Sequence, residues 1–162
     1  MIRKALINDW IQIKEIYIEG INTDNATFET PENITTYENW QKSKVPDSVF
    51  VTIDGDEVTG WAGLSKVSDR CVYGGVAEVS VYVSSKVQGK GIGSLLMQEL
   101  INFSESSNIW TLQAGIFPEN EASIYLHKKF GFRELGVREK LGKLKGLWRD
   151  VVLLERRSKT IL

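Results

Sequence analysis

The chain has 162 residues, of which 42% are apolar and 25% charged, and its formal net charge is −1. This length and composition are typical of one globular domain that buries a core without disulfides or a metal ion, so residues 1–162 are expected to form a single domain. The near-zero net charge disfavours nucleic-acid binding, because proteins that contact a phosphate backbone usually carry an excess of lysine and arginine. With a single cysteine, Cys71, and charges spread through residues 1–20, the expectation is a cytoplasmic protein that does not insert into a membrane.

The first half of the chain predicts two helices and the first strands of a sheet. Asn8 and Asp9 can cap a helix whose apolar residues recur at helical spacing. An Asp-Gly turn at residues 54–56 joins two β-prone runs, which is a strong hairpin signal. The predicted elements are a strand at 2–6, a helix after residue 9, an irregular loop at 22–31, a helix near 35–42, and strands at 49–53 and 58–64.

The second half predicts strands that alternate with helices, and the whole order predicts an α/β fold with a mixed sheet covered by helices. Gly131 is suited to end a helix, because glycine adopts the left-handed conformation at little cost. The predicted elements are a strand at 77–83, a helix at 94–104, a strand at 110–116, a helix at 120–130, and strands at 133–141 and 148–155 around residues 142–146. The residues predicted at helical spacing along the first of these helices are Ile92, Leu95, Leu96, Leu100 and Phe103.

The most informative segment is Gln88-Gly89-Lys90-Gly91-Ile92-Gly93, which lies between a predicted strand and a predicted helix. Glycines let a backbone approach an anion closely, and the first turn of the following helix offers N–H groups without partners. Lys90 adds a positive charge. The segment therefore predicts a phosphate-binding loop, although glycines in such a turn can also serve only to make a tight connection.

Two better-known phosphate loops do not match this segment. A Walker A loop needs lysine followed by serine or threonine, whereas Lys90 is followed by Gly91. The dinucleotide fingerprint needs a third glycine where Ser94 stands, and no acidic residue follows the next strand at the expected distance. Neither a P-loop nor a dinucleotide site is predicted.

The spacing Gln-x-x-Gly-x-Gly instead resembles the pyrophosphate loop of the GNAT-type N-acetyltransferases. Within that family the chain most resembles the phosphinothricin and methionine sulfoximine N-acetyltransferases, over residues 8–154. The resemblance implies a single-domain GNAT fold, with a mixed sheet of about seven strands and about four flanking helices, and it implies acetyl-CoA as co-substrate, no metal, and a homodimer. The further segments that carry it are Thr27-Phe28-Glu29, Arg70, Tyr73-x-x-x-x-Glu78, Asn120-x-x-Ser123-x-x-Leu126-His127-x-Lys129-x-Gly131-Phe132, and Trp148-x-Asp150-Val151.

The same resemblance implies which residues bind acetyl-CoA. In the family a splayed central strand, here residues 79–83, offers a backbone N–H to the oxyanion of the reaction. Asn120 contacts the pantetheine arm in the family, and the cap of its own helix would explain an asparagine there equally well. The residues expected to bind acetyl-CoA are Val81, Tyr82, Val83, Gln88, Gly89, Lys90, Gly91, Ile92, Gly93, Ser94, Asn120 and Ser123.

Amide formation from a thioester needs a base for the incoming ammonium group and a proton donor for the departing thiolate. Glu78 is the candidate base; the alternative is a solvated carboxylate, or one paired with Arg70. His127, the only histidine, is the candidate acid by resemblance, although a lone histidine on a helix is more often structural. Tyr125 is the alternative acid.

A small amino-acid-like acceptor needs a guanidinium for its carboxylate and an apolar wall for its side chain. The residues expected to bind it are Phe28, Glu29, Arg70, Tyr73 and Trp148, of which Phe28 and Trp148 could equally be core residues. The predicted activity is transfer of acetyl from acetyl-CoA to the α-amine of such a molecule. The alternatives are an acetyltransferase for another small amine or a protein N-terminus, and a non-catalytic CoA-binding sensor.

Overall fold

The computed structural model describes residues 1–162, and its centre is one mixed sheet of seven strands in the order β1-β2-β3-β4-β5-β7-β6. Only β4 and β5 pair in parallel; the other neighbours are antiparallel. The predicted α/β class and strand number are confirmed. The strands are β1 (Ile2–Lys4), β2 (Phe50–Asp54), β3 (Glu57–Lys66), β4 (Val76–Val83), β5 (Thr111–Ile116), β6 (Arg133–Leu144) and β7 (Leu147–Arg157).

Helices cover both faces of the sheet, because the strands alternate two sets of apolar side chains. On what we call the α1 face, Trp61 of β3 packs with Ile13 and Ile16 of α1. On the α3 face, Leu64 of β3 packs in the larger core with Leu96 of α3. The four helices, as predicted in number, are α1 (Trp10–Asn22), α2 (Tyr37–Gln41), α3 (Ile92–Ser106) and α4 (Glu121–Lys129). None of them combines the length and apolar composition that crossing a membrane requires.

A gap opens between the two parallel strands in the middle of the sheet. The pairing of β4 with β5 ends at Glu78 and Gln113, after only three residue pairs. Beyond that point β4 continues beside β3 as far as Val83, and β5 continues beside β7 as far as Ile116. One edge of residues 79–83 therefore has no strand partner, as the resemblance to splayed central strands implies.

Two local predictions were wrong. The predicted strand at 133–141 extends to Leu144, because the hairpin closes on Lys145 and Gly146, which both have positive φ (50° and 80°), the pattern that suits a tight two-residue turn. Leu95, which was predicted to share one helix face with Leu96 and Leu100, is 52% exposed. Successive side chains of a helix point about 100° apart, so Leu95 points away from the buried face. That face consists of Leu96, Met97, Leu100, Ile101 and Ser104.

Candidate active site

The glycine segment forms the connection that leads from β4 into α3. Gly89 and Gly91 have φ of +79° and +81°, the left-handed region that side chains other than glycine adopt only with strain. Gly91 is the N-cap of α3 and supplies no side-chain hydrogen bond. The first N–H groups of α3 therefore have no partner within the helix, and together with the positive end of the helix dipole they can bind an anion.

Residues from α4 and β4 close around this loop. A Cβ on Gly93 would lie 3.3 Å from Leu126 Cδ2 and 3.8 Å from Val83 Cγ2, so the third glycine allows α3, α4 and the end of β4 to pack closely. Lys129 Nζ donates a hydrogen bond to Ser94 Oγ at 3.3 Å and so brings a positive charge to the first turn of α3. Lys129 was named from the sequence only within the segment at residues 120–132 that carries the family resemblance, and no local pattern could have indicated this contact between distant segments.

Asn120 is a helix cap, as predicted. Its side-chain oxygen accepts a hydrogen bond from Ser123 N at 3.3 Å, and its Nδ2 donates to the carbonyl of Asn25 at 3.2 Å. The cap thereby joins α4 to the loop between α1 and α2. The expected contact of Asn120 and Ser123 with acetyl-CoA stays a prediction.

His127 is buried on α4, where its ring packs edge-on against Phe132 at a centroid distance of 5.0 Å. Its Nδ1 lies 2.7 Å from the carbonyl oxygen of Ser123, which fixes the proton of the neutral ring on Nδ1 and leaves Nε2 as an acceptor. Burial lowers the pKa of His127 below its usual 6.5. Tyr125, the alternative acid, is 72% exposed.

Glu78 occupies the apex of the gap, at the last residue pair between β4 and β5. It is exposed, and it lies directly opposite Ser65 of β3. Because Trp61 and Tyr82 are also opposite each other, and side chains alternate along a strand, Glu78 shares the α1 face with them. The predicted alternative pairing with Arg70 is absent, because no ion pair within 4 Å joins the two residues. Arg70 lies instead 5.4 Å from the ring centroid of Tyr73.

Within a single chain, the residues predicted to bind the acceptor do not line one common pocket. Arg70 and Tyr73 line a cavity of about 520 Å³ beside the end of α3. Glu29 lines a second cavity, of about 190 Å³, beside α1 and α2. Phe28 packs against Phe117 in a small cluster with Val151. A single acceptor pocket formed by all of them, at a homodimer interface, stays a prediction.

Trp148 lies apart from Phe28. It is 56% exposed, and Lys143 Nζ lies 4.8 Å above its ring. Val151 packs with Phe28 and Val152 packs in the larger core, so alternation along β7 places Trp148 on the α3 face, with Val152. Its predicted contact with the acceptor stays a prediction.

Arg149, which the sequence analysis did not single out, holds the loop at residues 22–31. Its Nη1 donates to the carbonyl of Asp24 at 2.7 Å, and its guanidinium carbon lies 4.0 Å from the ring centroid of Phe117. Lys145 forms an ion pair with Asp24 at 2.8 Å. The basic residues of the last hairpin therefore fix the polar loop that carries Phe28 and Glu29, and no local signal distinguishes them from solvated surface charges.

The 190 Å³ cavity contains an unusual set of ionisable groups. Burial lowers the pKa of Lys44 to about 8, and the negative charge of Glu78 partly opposes that effect. Burial raises the pKa of Tyr17 to about 12, and the charge of Glu29 adds to the rise. Glu29 Oε1 accepts a hydrogen bond from Asn33 Nδ2 at 2.8 Å. The cavity is polar, is of amino-acid size, and lies on the same face as Glu78.

Comparison with known proteins is consistent with this arrangement. Residues 10–132 match the model of the acetyltransferase (GNAT) family. The chain is 31% identical to a phosphinothricin N-acetyltransferase of Streptomyces coelicolor, over 96% of this chain and 94% of that protein. It is 29% identical to an L-methionine sulfoximine/L-methionine sulfone acetyltransferase of Pseudomonas aeruginosa, over 95% and 92%. The solved structure of a GNAT superfamily phosphinothricin acetyltransferase from Sinorhizobium meliloti in complex with AcCoA superposes with a TM-score of 0.86 at 28% identity, over 97% of this chain and 87% of that one.

Proposed function

Because the chain belongs to the acetyltransferase (GNAT) family, we propose that it transfers the acetyl group of acetyl-CoA to the α-amine of a small amino-acid-like molecule. The two relatives named above, which act on phosphinothricin and on methionine sulfoximine or sulfone, support this class of acceptor. One observation carries the proposal. The uncapped start of α3, behind a left-handed glycine loop, lies at the open end of the gap between β4 and β5, and Glu78 lies at its apex.

The loop and the start of α3 are the proposed site for the diphosphate of acetyl-CoA. The backbone N–H groups of the loop and of the first turn of α3 would donate to phosphate oxygens, and Lys90 and Lys129 would add positive charge. The free edge of residues 79–83 would bind the rest of the donor through the backbone, including Val81, Tyr82 and Val83. The thioester would then lie in the gap, beside Glu78.

Glu78 is the proposed general base. The acceptor amine arrives as an ammonium ion, and it must lose a proton before its lone pair can attack the thioester carbon. Glu78 would take that proton, directly or through a water molecule. The nitrogen–carbon bond would form as the carbonyl electron pair moves onto oxygen, and the unpaired edge of β4 would supply an N–H to this transient oxyanion. The carbonyl would then re-form as the carbon–sulfur bond breaks, and the second proton of the nitrogen would pass to water.

The return of a proton to the thiolate is assigned to His127 by resemblance. The environment of His127 determines which protonation state of the ring could donate that proton. A neutral His127 has its proton on Nδ1, where Ser123 holds it, so only the doubly protonated ring could donate from Nε2. Since burial lowers the pKa of His127, that form is scarce at pH 7. Tyr125, whose hydroxyl group is a hydrogen-bond donor, stays the alternative.

The central test measures free thiol released from acetyl-CoA with a panel of amino-acid analogues. Glu78→Gln should lower kcat about 100- to 10,000-fold, the usual contribution of a positioned base. Glu139→Gln, which changes an exposed carboxylate on β6, is the matched control and should leave kcat unchanged. Full activity of the Glu78→Gln enzyme would refute its role. Tight binding of acetyl-CoA without thiol release for any amine would favour the sensor.

The same assay distinguishes the two candidate acids. If His127 donates the proton, His127→Asn should lower kcat strongly and Tyr125→Phe should not. The reverse result would assign the role to Tyr125. The predicted homodimer is tested separately, by the sedimentation behaviour of the wild-type chain.

A further inference from the structure

We propose that Lys44 binds the carboxylate of the acceptor and thereby places its α-amine beside Glu78. This inference rests on the proposed function, and it names a residue that sequence reasoning did not consider. It also moves the carboxylate site from Arg70, which lines the other cavity, to the cavity on the α1 face. Three features of Lys44 support the proposal: its backbone is fixed, hydrogen-bonding capacity around its ammonium group is unused, and it lies next to Glu78.

The backbone on both sides of Lys44 is fixed to the end of β3. Lys66 N donates to the carbonyl of Ser43 at 3.1 Å, and Val45 N donates to the carbonyl of Leu64 at 2.8 Å. The aliphatic part of Lys44 crosses over Gly63, where a Cβ would lie 3.6 Å from Lys44 Cδ and 3.8 Å from Cε. These are ordinary van der Waals distances, so the lysine stem packs on the backbone of β3. The ammonium group is therefore held in place by the fold, unlike that of a surface lysine.

Lys44 is half-buried, and its ammonium group has no acidic partner. Its Nζ donates to Ser65 Oγ at 3.1 Å, and no carboxylate lies within 4 Å. It lies 5.1 Å from the ring centroid of Trp40 and 5.9 Å from that of Trp61. An ammonium group has three N–H donors, so two remain unused. A half-buried cation without a counter-ion is costly, and an incoming carboxylate would relieve that cost.

The surroundings supply a second set of unused donors. The indole N–H groups of Trp40 and Trp61 are both buried without an acceptor. Native proteins satisfy nearly all buried polar groups, so two orphan donors, on rings whose centroids lie 5.1 and 5.9 Å from Lys44 Nζ, indicate a region with few acceptor oxygens. Trp61 is fully buried and does not line the cavity. Trp40 lines the cavity itself, together with Lys44. Burial leaves Lys44 with a pKa of about 8, so it is still charged at neutral pH.

The position of Lys44 also suits the chemistry of the acceptor. Ser65, which accepts its hydrogen bond, lies directly opposite Glu78 in the register of β3 and β4. Side chains in such pairs have Cβ atoms about 5 Å apart. In an amino acid only Cα separates the carboxylate from the amine. A carboxylate bound to Lys44 would therefore bring its amine to Glu78, and the acceptor side chain would extend toward Tyr17 and Asn33 in the cavity of about 190 Å³.

The test compares two acceptors that differ only in the carboxylate. L-methionine sulfone carries it, and 3-(methylsulfonyl)propylamine does not. In the thiol-release assay, Lys44→Met should lower kcat/KM for methionine sulfone about 10- to 150-fold, the value of one hydrogen-bonded ionic contact. It should change kcat/KM for the decarboxylated amine less than threefold and leave KM for acetyl-CoA unchanged. Lys44→Arg should retain part of the preference for the carboxylate.

Lys42→Met removes an exposed lysine two residues away and is the matched control, with both acceptors unaffected. An equal loss on both acceptors in Lys44→Met, or a wild-type enzyme indifferent to the carboxylate, would overturn the proposal. Absence of thiol release with every amine would count against the proposed function instead. Titration of tryptophan fluorescence with methionine sulfone then decides the role of Lys44, since equal affinity of wild type and Lys44→Met would refute it.

Discussion

Replacing Lys44 by methionine should stabilise the folded protein at pH 7, even though the same change should impair acetyl transfer. Methionine keeps an unbranched chain of similar length over Gly63 and beside the rings of Trp40 and Trp61. What it removes is an ammonium group that is still charged at pH 7 although burial disfavours its charged form. The prediction therefore separates what Lys44 does for folding from what it does for function.

The size of the effect follows from the pKa of Lys44. A fall from 10.5 to about 8 means that folding disfavours the charged form by about 3 kcal/mol relative to the neutral one. The interaction of the ammonium group with two tryptophan rings offsets about 1 to 2 kcal/mol of this. The free energy of unfolding of Lys44→Met should therefore exceed that of wild type by about 1 to 2 kcal/mol at pH 7.

The pH dependence of this difference gives a sharper test. Below pH 8, Lys44 is protonated in both the folded and the unfolded chain, so the penalty is fully present. Between pH 8 and 10.5 the unfolded chain binds more protons, so wild-type stability rises with pH relative to Lys44→Met. Urea unfolding at pH 7 and pH 9.5, with Lys42→Met as control, measures both effects. If Lys44→Met is less stable than wild type at pH 7, or if its excess stability over wild type grows with pH, the Lys44 ammonium group does not destabilise the fold.

Two further predictions concern the glycine loop and the buried histidine. Gly91→Ala and Gly55→Ala both place a side chain at positive φ in open space, so each should lower the free energy of unfolding by about 1 to 2 kcal/mol. Only Gly91→Ala should also raise KM for acetyl-CoA. Equal KM values of the two variants in thiol-release kinetics would argue against the loop as the site that binds acetyl-CoA. The pKa of His127 is lowered in the folded state, so the unfolded chain binds more protons below pH 6.5. The free energy of unfolding of the wild type, measured with urea, should therefore fall as the pH drops from 6.5 toward 5. An equally steep decline in His127→Asn would contradict this prediction.

The glycine loop could be predicted from the sequence because its chemistry is local. A strand, a turn with positive φ at Gly89 and Gly91, and a helix follow one another within a few residues, and each leaves its own mark on the sequence. The cap at Asn120 is local for the same reason. The order of strands and helices likewise follows from hydrophobic period and turn residues, which act between neighbours in the chain.

The acceptor site could not be predicted in the same way, because its contacts join segments that are far apart in sequence. Lys44 meets Ser65 across 21 residues, and Arg149 reaches the loop at Asp24 across 125. The motif that pointed to Arg70 and the one that pointed to Glu29 are each recognisable in sequence, yet they line different cavities of one chain. A sequence motif gives residue types at a spacing. Which of those side chains contact one another depends on the face of the sheet on which each one lies.

The cavity on the α1 face concentrates features that a stable fold would avoid. It holds an ammonium group with no counter-ion within 4 Å, and beside it lie two indole N–H groups without acceptors, at Trp40 and Trp61. Each unsatisfied buried donor costs about 1 to 3 kcal/mol. A methionine at position 44 would remove the cost of the unpaired ammonium group. The two unused donors of the Lys44 ammonium group, on the wall of a cavity of amino-acid size next to Glu78, are what a carboxylate ligand would complete, so the ligand, rather than the fold, accounts for a lysine at this position.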